Sequence, residues 1–364
     1  MRILYDHQAT SMQDAGGISV YYYQLIQALL SHEDIHITLL AGKNDSVVPF
    51  GSLAKANCRI ASFRTRVRPG FIRYAMNDLI VSGLGAVAGT FDIYHPTLYR
   101  CLPLLRANAI VVTHHDCILE LFPQMFKHVA ARRQVKRRQF AQADAIICVS
   151  ENSRNDLLRF YDIPQEKTHV IHLGVTELPI GTLPAGLHIG IPYLLHVGAR
   201  NQRKNFEVLV KAFARSRIQS DVDLVFAGGG EYTQEEASLI EREGLGKKVI
   251  LFPRVSNEQL GALYRAAHAF VYPSIYEGFG LPPVEAMACG TVPVVSGVSA
   301  MPEICGDGAI YFDPYSAESM MESLECACYD ETTRNRIREA GRVVAARYTW
   351  EECARKTLQV YRDL

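Results

Sequence analysis

The stretch AFVYPSIYEGFGLPPVEAMACGTVPVVS, Ala269 to Ser296, decides the fold. AFVYPS is an apolar run that reads as a buried strand. Glycines and prolines follow, then a short helix-period segment after Pro282, then a second apolar run, TVPVVS. A strand, turn, helix and strand in this order form a parallel crossover unit. Gly278 and Gly280 let the backbone approach a ligand and accept positive φ. Pro282 and Pro283 suit a helix's first turn, where a missing N–H costs little. Gly290 is expected to end a helix of under two turns. Glu277 then sits in the turn beyond the strand, and Glu285 on the first turn of the helix. The amides near Gly280 and Leu281 make a pocket for an anion. A carboxylate beside such a pocket suits hydrogen bonds from a diol such as a ribose. A glutamate near a helix N-terminus is also ordinary dipole chemistry, so spacing alone leaves both readings open.

The same alternation runs from end to end. MRILYD, IHITLLAG, FDIYHP, AIVVTHHD, AIICVS and HVIHLGV read as strands in the first half. Helices are expected between them, among them GGISVYYYQLIQALLS, Phe126 to Ala141 and Ser153 to Phe160. TELPIGTLPAGLHIGIP, Thr176 to Pro192, carries Pro and Gly at short intervals and reads as a linker. The pattern restarts with the strands YLLHVGA, DLVFAGG, VILFPRV, AFVYPS and TVPVVS. Helices NFEVLVKAFARS, YTQEEASLIEREG and NEQLGALYRAA fall between them. The expected class is α/β, with two doubly wound, Rossmann-like domains facing a central cleft. The boundaries are residues 1–180, residues 190–346 and a final helical segment at 347–364, in which Trp350 is most simply a packing residue.

Composition narrows the function. The chain has 364 residues and a formal net charge of zero, and 48% of it is hydrophobic. Residues 1–175 carry five more basic than acidic side chains, and the remainder the reverse. The excess gathers in RTRVRPGFIR (Arg64 to Arg73) and RRQVKRR (Arg132 to Arg138), either a solvated face or a surface for anionic headgroups or a lipid phosphate. Nine cysteines without a CxxC pair suggest reduced thiols in a cytosol. The opening MRILYDHQ does not read as a signal peptide, and LIVSGLGAVAG (Leu79 to Gly89) is too short to span a bilayer. A cytoplasmic protein, at most peripheral at the inner membrane face, is expected. Balanced charge and the absence of a known motif argue against nucleic acid.

EGFGLPPVEAMACGTVPVVS resembles the E-x(7)-E signature of retaining glycosyltransferases of family 4, which have the GT-B fold. Five more segments are similar to that family in the same order: DAGGISVYYYQL, VVTHHD, ICVSENSRNDLLRFYDIPQEKTHVIHLGV, LLHVGARNQRKN and MPEICGDGAIYFDP. The resemblance covers nearly the whole chain, and the opening ILYDHQATSMQDAGGIS is similar to bacterial polysaccharide mannosyltransferases. It implies transfer of a hexose from a nucleotide sugar, GDP- or UDP-linked with GDP-mannose the first choice. The acceptor would be a saccharide, lipid-linked, in O-antigen-like lipopolysaccharide synthesis. No cofactor and no metal are expected. The final helix is expected to pack back on the first domain.

The resemblance also distributes roles. Breaking the glycosidic bond leaves negative charge on the diphosphate, so cations aimed at it are the main requirement. Lys204 matches the family lysine. The family arginine follows the glycine directly, where this chain has Ala199, so Arg200 or Arg203 takes that part. Gly16 and Gly17, with Gly280 and Leu281, would bring amides to the phosphate. His115 would contact the donor sugar and Asp116 would orient the loop. Glu277, Gly278, Phe279 and Gly280 would line the sugar site, Glu285 would hold the ribose, and Pro253 to Val255 would lie near the base. The catalytic set is His115, Lys204 and Glu277. The leaving phosphate itself would help deprotonate the acceptor in a front-face substitution.

Ser150 reads as an N-cap, and Glu303 has no derived role. Two decoys are set aside. DVD (Asp221 to Asp223) precedes a strand where a metal-binding D-x-D would end one. AGGG (Ala227 to Gly230) lacks dinucleotide-binding spacing. The rival activities are a non-transferring relative, such as a sugar-nucleotide epimerase, and a module that binds a sugar nucleotide without turnover.

Overall fold

The computed structural model describes residues 1–12, 16–41, 48–62, 83, 89–98, 106–187 and 190–364. The basic run Arg64 to Arg73 and most of Leu79 to Gly89 lie outside the described residues. The chain divides into two compact units, Met1–Gly174 with Trp350–Leu364, and Val175–Thr349.

The first unit carries seven parallel strands: β1 (Arg2–Tyr5), β2 (His36–Ala41), β3 (Cys58–Ser62), β4 (Phe91–His95), β5 (Ala107–His114), β6 (Ala145–Cys148) and β7 (Thr168–Val170). Their order is β3-β2-β1-β4-β5-β6-β7. The second unit carries six: β8 (Tyr193–Val197), β9 (Asp223–Ala227), β10 (Val249–Phe252), β11 (Ala269–Tyr272), β12 (Pro293–Ser296) and β13 (Ile310–Phe312), in the order β10-β9-β8-β11-β12-β13. Each order reverses once, between β1 and β4 and between β8 and β11. The connections of neighbouring strands diverge to opposite faces there and leave a crevice beyond the carboxyl ends.

Helices cover the sheets with their apolar stripes. Phe206–Arg215 buries Phe206, Leu209, Val210 and Phe213, one face at i, i+3, i+4 and i+7. These side chains meet Leu194, Leu224, Phe226, Val271 and Val294 of the strands in one core cluster. The helix expected from Phe126 runs Val129–Gln142, and Ser150 caps Glu151–Phe160 by accepting from the Ser153 amide at 2.9 Å.

Two strands, β3 and β13, and two helices, Ala317–Tyr329 and Glu331–Ala345, were not expected. The segment read as a linker belongs to the second unit from Val175 onward. Leu178 is buried, and a Cβ on Gly181 would lie 2.5 Å from the Glu258 carbonyl oxygen.

The final helix, Trp350–Arg362, belongs to the first unit. Trp350 packs on the Tyr21 ring, and the Tyr361 hydroxyl meets those of Tyr5 at 2.8 Å and His95 Nδ1 at 2.6 Å. No helix among the described residues is long and apolar enough to cross a membrane.

Candidate active site

The second unit's crevice assembles the charged residues. Because β8 pairs with β11, the loop Gly198 to Lys204 lies beside the turn that leads to Glu277. Asn201 caps a single 3-10 turn, Gln202–Lys204, by accepting from the Lys204 amide at 3.1 Å. The Ile275 amide donates to the Arg203 carbonyl at 2.9 Å and ties the two loops together.

One Glu277 carboxylate oxygen then accepts from Arg203 Nη1 and from Lys204 Nζ, each at 2.6 Å. Arg203 also donates to the Tyr276 carbonyl at 3.1 Å. Lys204 Nζ reaches the Tyr272 hydroxyl at 2.5 Å and lies 4.5 Å from the centre of its ring. The Glu277 amide donates to Ser299 Oγ at 3.1 Å, with Ser299 held at a φ of 54°.

Burial opposes each of these charges, and the neighbours outweigh it. Against burial, Tyr272 and Glu277 raise the Lys204 ammonium above the ordinary lysine range. Against burial, Lys204 and Arg203 lower the Glu277 carboxyl below the ordinary carboxylate range. The site therefore holds two cations against one carboxylate.

Arg200 is committed elsewhere. Its guanidinium donates to the carbonyls of Gly228, Gly230 and Glu231 at 2.8 to 2.9 Å, pairs with Glu236 at 3.3 Å and stacks over Tyr232. The loop it holds has three consecutive left-handed glycines, Gly228, Gly229 and Gly230. A Cβ on Gly229 would meet the Gly198 carbonyl oxygen at 2.6 Å. Pro253 adjoins this loop through the Gly230 amide at 3.3 Å.

The helix Leu281–Ala288 opens on Gly280 at a φ of 91°, where a Cβ would lie 2.4 Å from Met301 Cε. Gly290 closes it in a Schellman turn, with Thr291 N on Ala286 O and Gly290 N on Met287 O. Two expectations are corrected here. Eight residues make slightly more than two turns, and Glu285 lies on the second turn, not the first, because the helix begins at Leu281. Its carboxylate accepts from the Tyr264 hydroxyl at 3.1 Å, and burial raises its pKa. The Phe279 ring is buried edge-on against Tyr348, which leaves its backbone to act at the turn.

In the first unit, Gly16 is extended, and a Cβ on Gly17 at the start of Gly17–Leu29 would meet none of the described residues within 4 Å. His114 is fully buried, whereas His115 is half-buried beyond β5, with its ring edge-on to Tyr21. Burial and the nearby Lys136 lower the His115 pKa to about 4, and its Nε2 has no hydrogen-bond partner among the described residues. The Asp116 carboxylate accepts from the Ile118 amide at 3.1 Å.

Two family models match the chain, "Glycosyl transferases group 1" over residues 189–344 and "Glycosyltransferase Family 4" over residues 15–177. The chain belongs to glycosyltransferase family 4. This glycosyltransferase is 29% identical over 286 residues to O-antigen chain mannosyltransferase B of Escherichia coli, covering 75% of this chain and 74% of that one. It is 32% identical over 256 residues to alpha-maltose-1-phosphate synthase of Mycobacterium tuberculosis, covering 63% and 66%. Among solved structures, Anabaena Alr3699/HepE in complex with UDP-glucose superposes with a TM-score of 0.78 at 18% identity over the full length of both chains. The glycosyltransferase has the GT-B fold.

Three residues of the cluster escaped the sequence reading. Tyr272 looked like one more apolar strand residue and Ser299 like loop. His196, buried in β8 and stacked on Tyr272, donates through Nδ1 to the Val271 carbonyl at 3.1 Å. The signal for Tyr272 was its position as the last residue of the strand that leads to Glu277.

Proposed function

We propose that this glycosyltransferase moves a hexose, with mannose from GDP-mannose as the first choice, to a saccharide acceptor in surface polysaccharide assembly. The observation that carries this reading is the joint grip of Arg203 and Lys204 on Glu277 at the strand-order reversal. An arriving diphosphate replaces part of that grip, and the two cations then stabilise the charge that grows on it as the glycosidic bond breaks. These fixed cations supply what a metal ion otherwise would, so chelator is expected to leave turnover unchanged. Of the two arginine candidates, Arg203 takes the diphosphate, because Arg200 is spent on backbone carbonyls.

Glu277 holds hydroxyls of the donor sugar and Glu285 the ribose. The amides of Gly280 and Leu281, and those of Gly16 and Gly17, bind the phosphate, and Gly278 and Phe279 line the sugar. His115 offers Nε2 to the donor sugar. Transfer proceeds with retention by front-face substitution, the leaving phosphate taking the acceptor proton. The relative named as an O-antigen chain mannosyltransferase supports mannose and a polysaccharide product.

The acceptor is lipid-linked, and the enzyme sits peripherally on an anionic membrane face. Exposed Arg132, Arg137 and Arg138 support that, whereas Lys136 of the same run is buried and belongs to neither a solvated face nor a headgroup surface. Incubation with GDP-mannose, UDP-glucose and ADP-glucose, with and without lipid-linked saccharide, tests the reading. Acceptor-dependent release of GDP and an α-linked mannoside are expected. Donor isomerisation, or binding without any turnover, would refute it.

A further inference from the structure

A buried ion pair stands behind the His115 loop. Lys136, read from sequence as part of a surface basic run, has a side chain only 4% exposed, and its partner Glu120 only 2%. Their charges meet at 3.0 Å. Lys136 Nζ also donates to the Asp116 carbonyl at 3.1 Å, one residue past His115. Glu120 accepts from the Tyr161 hydroxyl as well, and Arg133 donates to the Glu120 carbonyl at 2.8 Å. On the other side, Ser153 Oγ donates to the His115 carbonyl at 3.2 Å. Two helices thus converge on the consecutive carbonyls of His115 and Asp116 beyond β5, while Arg133 and Tyr161 hold Glu120.

A buried pair of this kind is weak evidence for stability, because desolvating two charges offsets most of their attraction. It does fix geometry, because moving either partner breaks this ion pair and pulls on the Asp116 carbonyl and Tyr161 bonds joined to it. We propose that Lys136, through the Asp116 carbonyl and Glu120, is a positioning residue that sets the place of the His115 imidazole. The catalytic consequence rests on the reading of His115 as a donor-sugar contact; the positioning itself does not. The groups around His115 are consistent with a neutral ring. Tyr21 and Tyr22 on Gly17–Leu29 present edge-on rings, burial and the Lys136 ammonium disfavour a positive charge on the ring, and the buried His95 and His114 are themselves neutral. Asp116 turns its carboxylate to the Ile118 amide.

The test uses the full chain labelled at histidine Cε1, with the His115 resonance assigned by its absence from His115→Ala. Lys136→Met is compared with the double variant Lys136→Met/Glu120→Gln, which leaves no buried charge unpaired and so guards against a folding failure. In Lys136→Met the His115 titration is expected to move up from about 4 by about half a unit or more, because a neighbouring positive charge is gone; the double variant removes the Glu120 charge as well and is read by its kinetics. The kcat is expected to fall about tenfold or more at a donor KM within about threefold, as displacement of a positioned group does. An unmoved His115 titration in Lys136→Met overturns the proposal. So does a kcat within about twofold of the parent when His115→Ala is itself inactive. If His115→Ala transfers sugar normally, the reading of His115 fails instead, and the titration alone decides the role of Lys136.

Discussion

The Lys204 ammonium and the Glu277 carboxylate, 73 residues apart in sequence, meet at 2.6 Å beyond the paired strands β8 and β11. Lys204→Ala removes the cation that also rests on Tyr272. Its kcat is expected to fall more than about a thousandfold, the scale on which preorganised charge stabilisation acts. Steady-state kinetics with saturating donor measures it, and near-normal turnover would refute the assignment.

Glu277→Ala is expected to lower turnover about a hundredfold or more while donor affinity changes only a few-fold. Removing the carboxylate frees Arg203 and Lys204 for the phosphates, so binding is spared while the sugar loses its hold. Calorimetric titration of donor beside kinetics separates the two. A large loss of affinity at unchanged kcat would reverse the division of roles.

Arg200 and Arg203, three positions apart, are expected to fail in different ways. Arg200→Ala strips three carbonyls and Glu236 of their partner and should cost about 3 kcal/mol or more of stability. Arg203→Ala should leave the melting temperature within a few degrees but weaken donor binding at least about tenfold. Scanning calorimetry with and without nucleotide sugar distinguishes them, and the opposite pattern would reassign the diphosphate contact to Arg200.

Tyr272→Phe keeps the ring under Lys204 and deletes one hydrogen bond. A drop in kcat of about tenfold is expected, the usual worth of a hydrogen bond to a charged group. An unchanged kcat would reduce Tyr272 to packing.

Acid should destabilise the fold through its buried histidines. Burial lowers His95 to about 3, and His115 and His196 to about 4, from an ordinary value of 6.5. Between these limits the unfolded chain binds protons that the folded chain does not, so stability rises with pH across that window and falls on acidification. Each histidine contributes up to about 1.4 kcal/mol per pH unit. Melting temperatures at pH 7 and pH 5 check the sign, and equal values would contradict it.

Sequence made the parallel sheets legible because their buried strands are nearly continuous apolar runs, as in AIICVS and AFVYPS. It missed β3, whose CRIAS is broken by Arg59, and β13, whose Ile310–Phe312 is too short to show a period. Lys204 and Glu277 could be picked out as charged groups following apolar strands, whereas their meeting followed only from the order in which β8 and β11 pair. The choice between Arg200 and Arg203 turned on carbonyl oxygens in a glycine loop, for which a sequence carries no symbol. Lys136 was misread because four of its near neighbours in RRQVKRR are also cationic, and the helix turns this one residue inward.

The hydrogen bond between Tyr5 and Tyr361 joins opposite ends of the chain inside one unit. On the ribosome, the N-terminal half must therefore wait for the whole of the other half to be translated before its last helix arrives. During that interval the nascent chain exposes the apolar surface that Trp350, Leu358 and Tyr361 will later cover, and it is a natural client for chaperones.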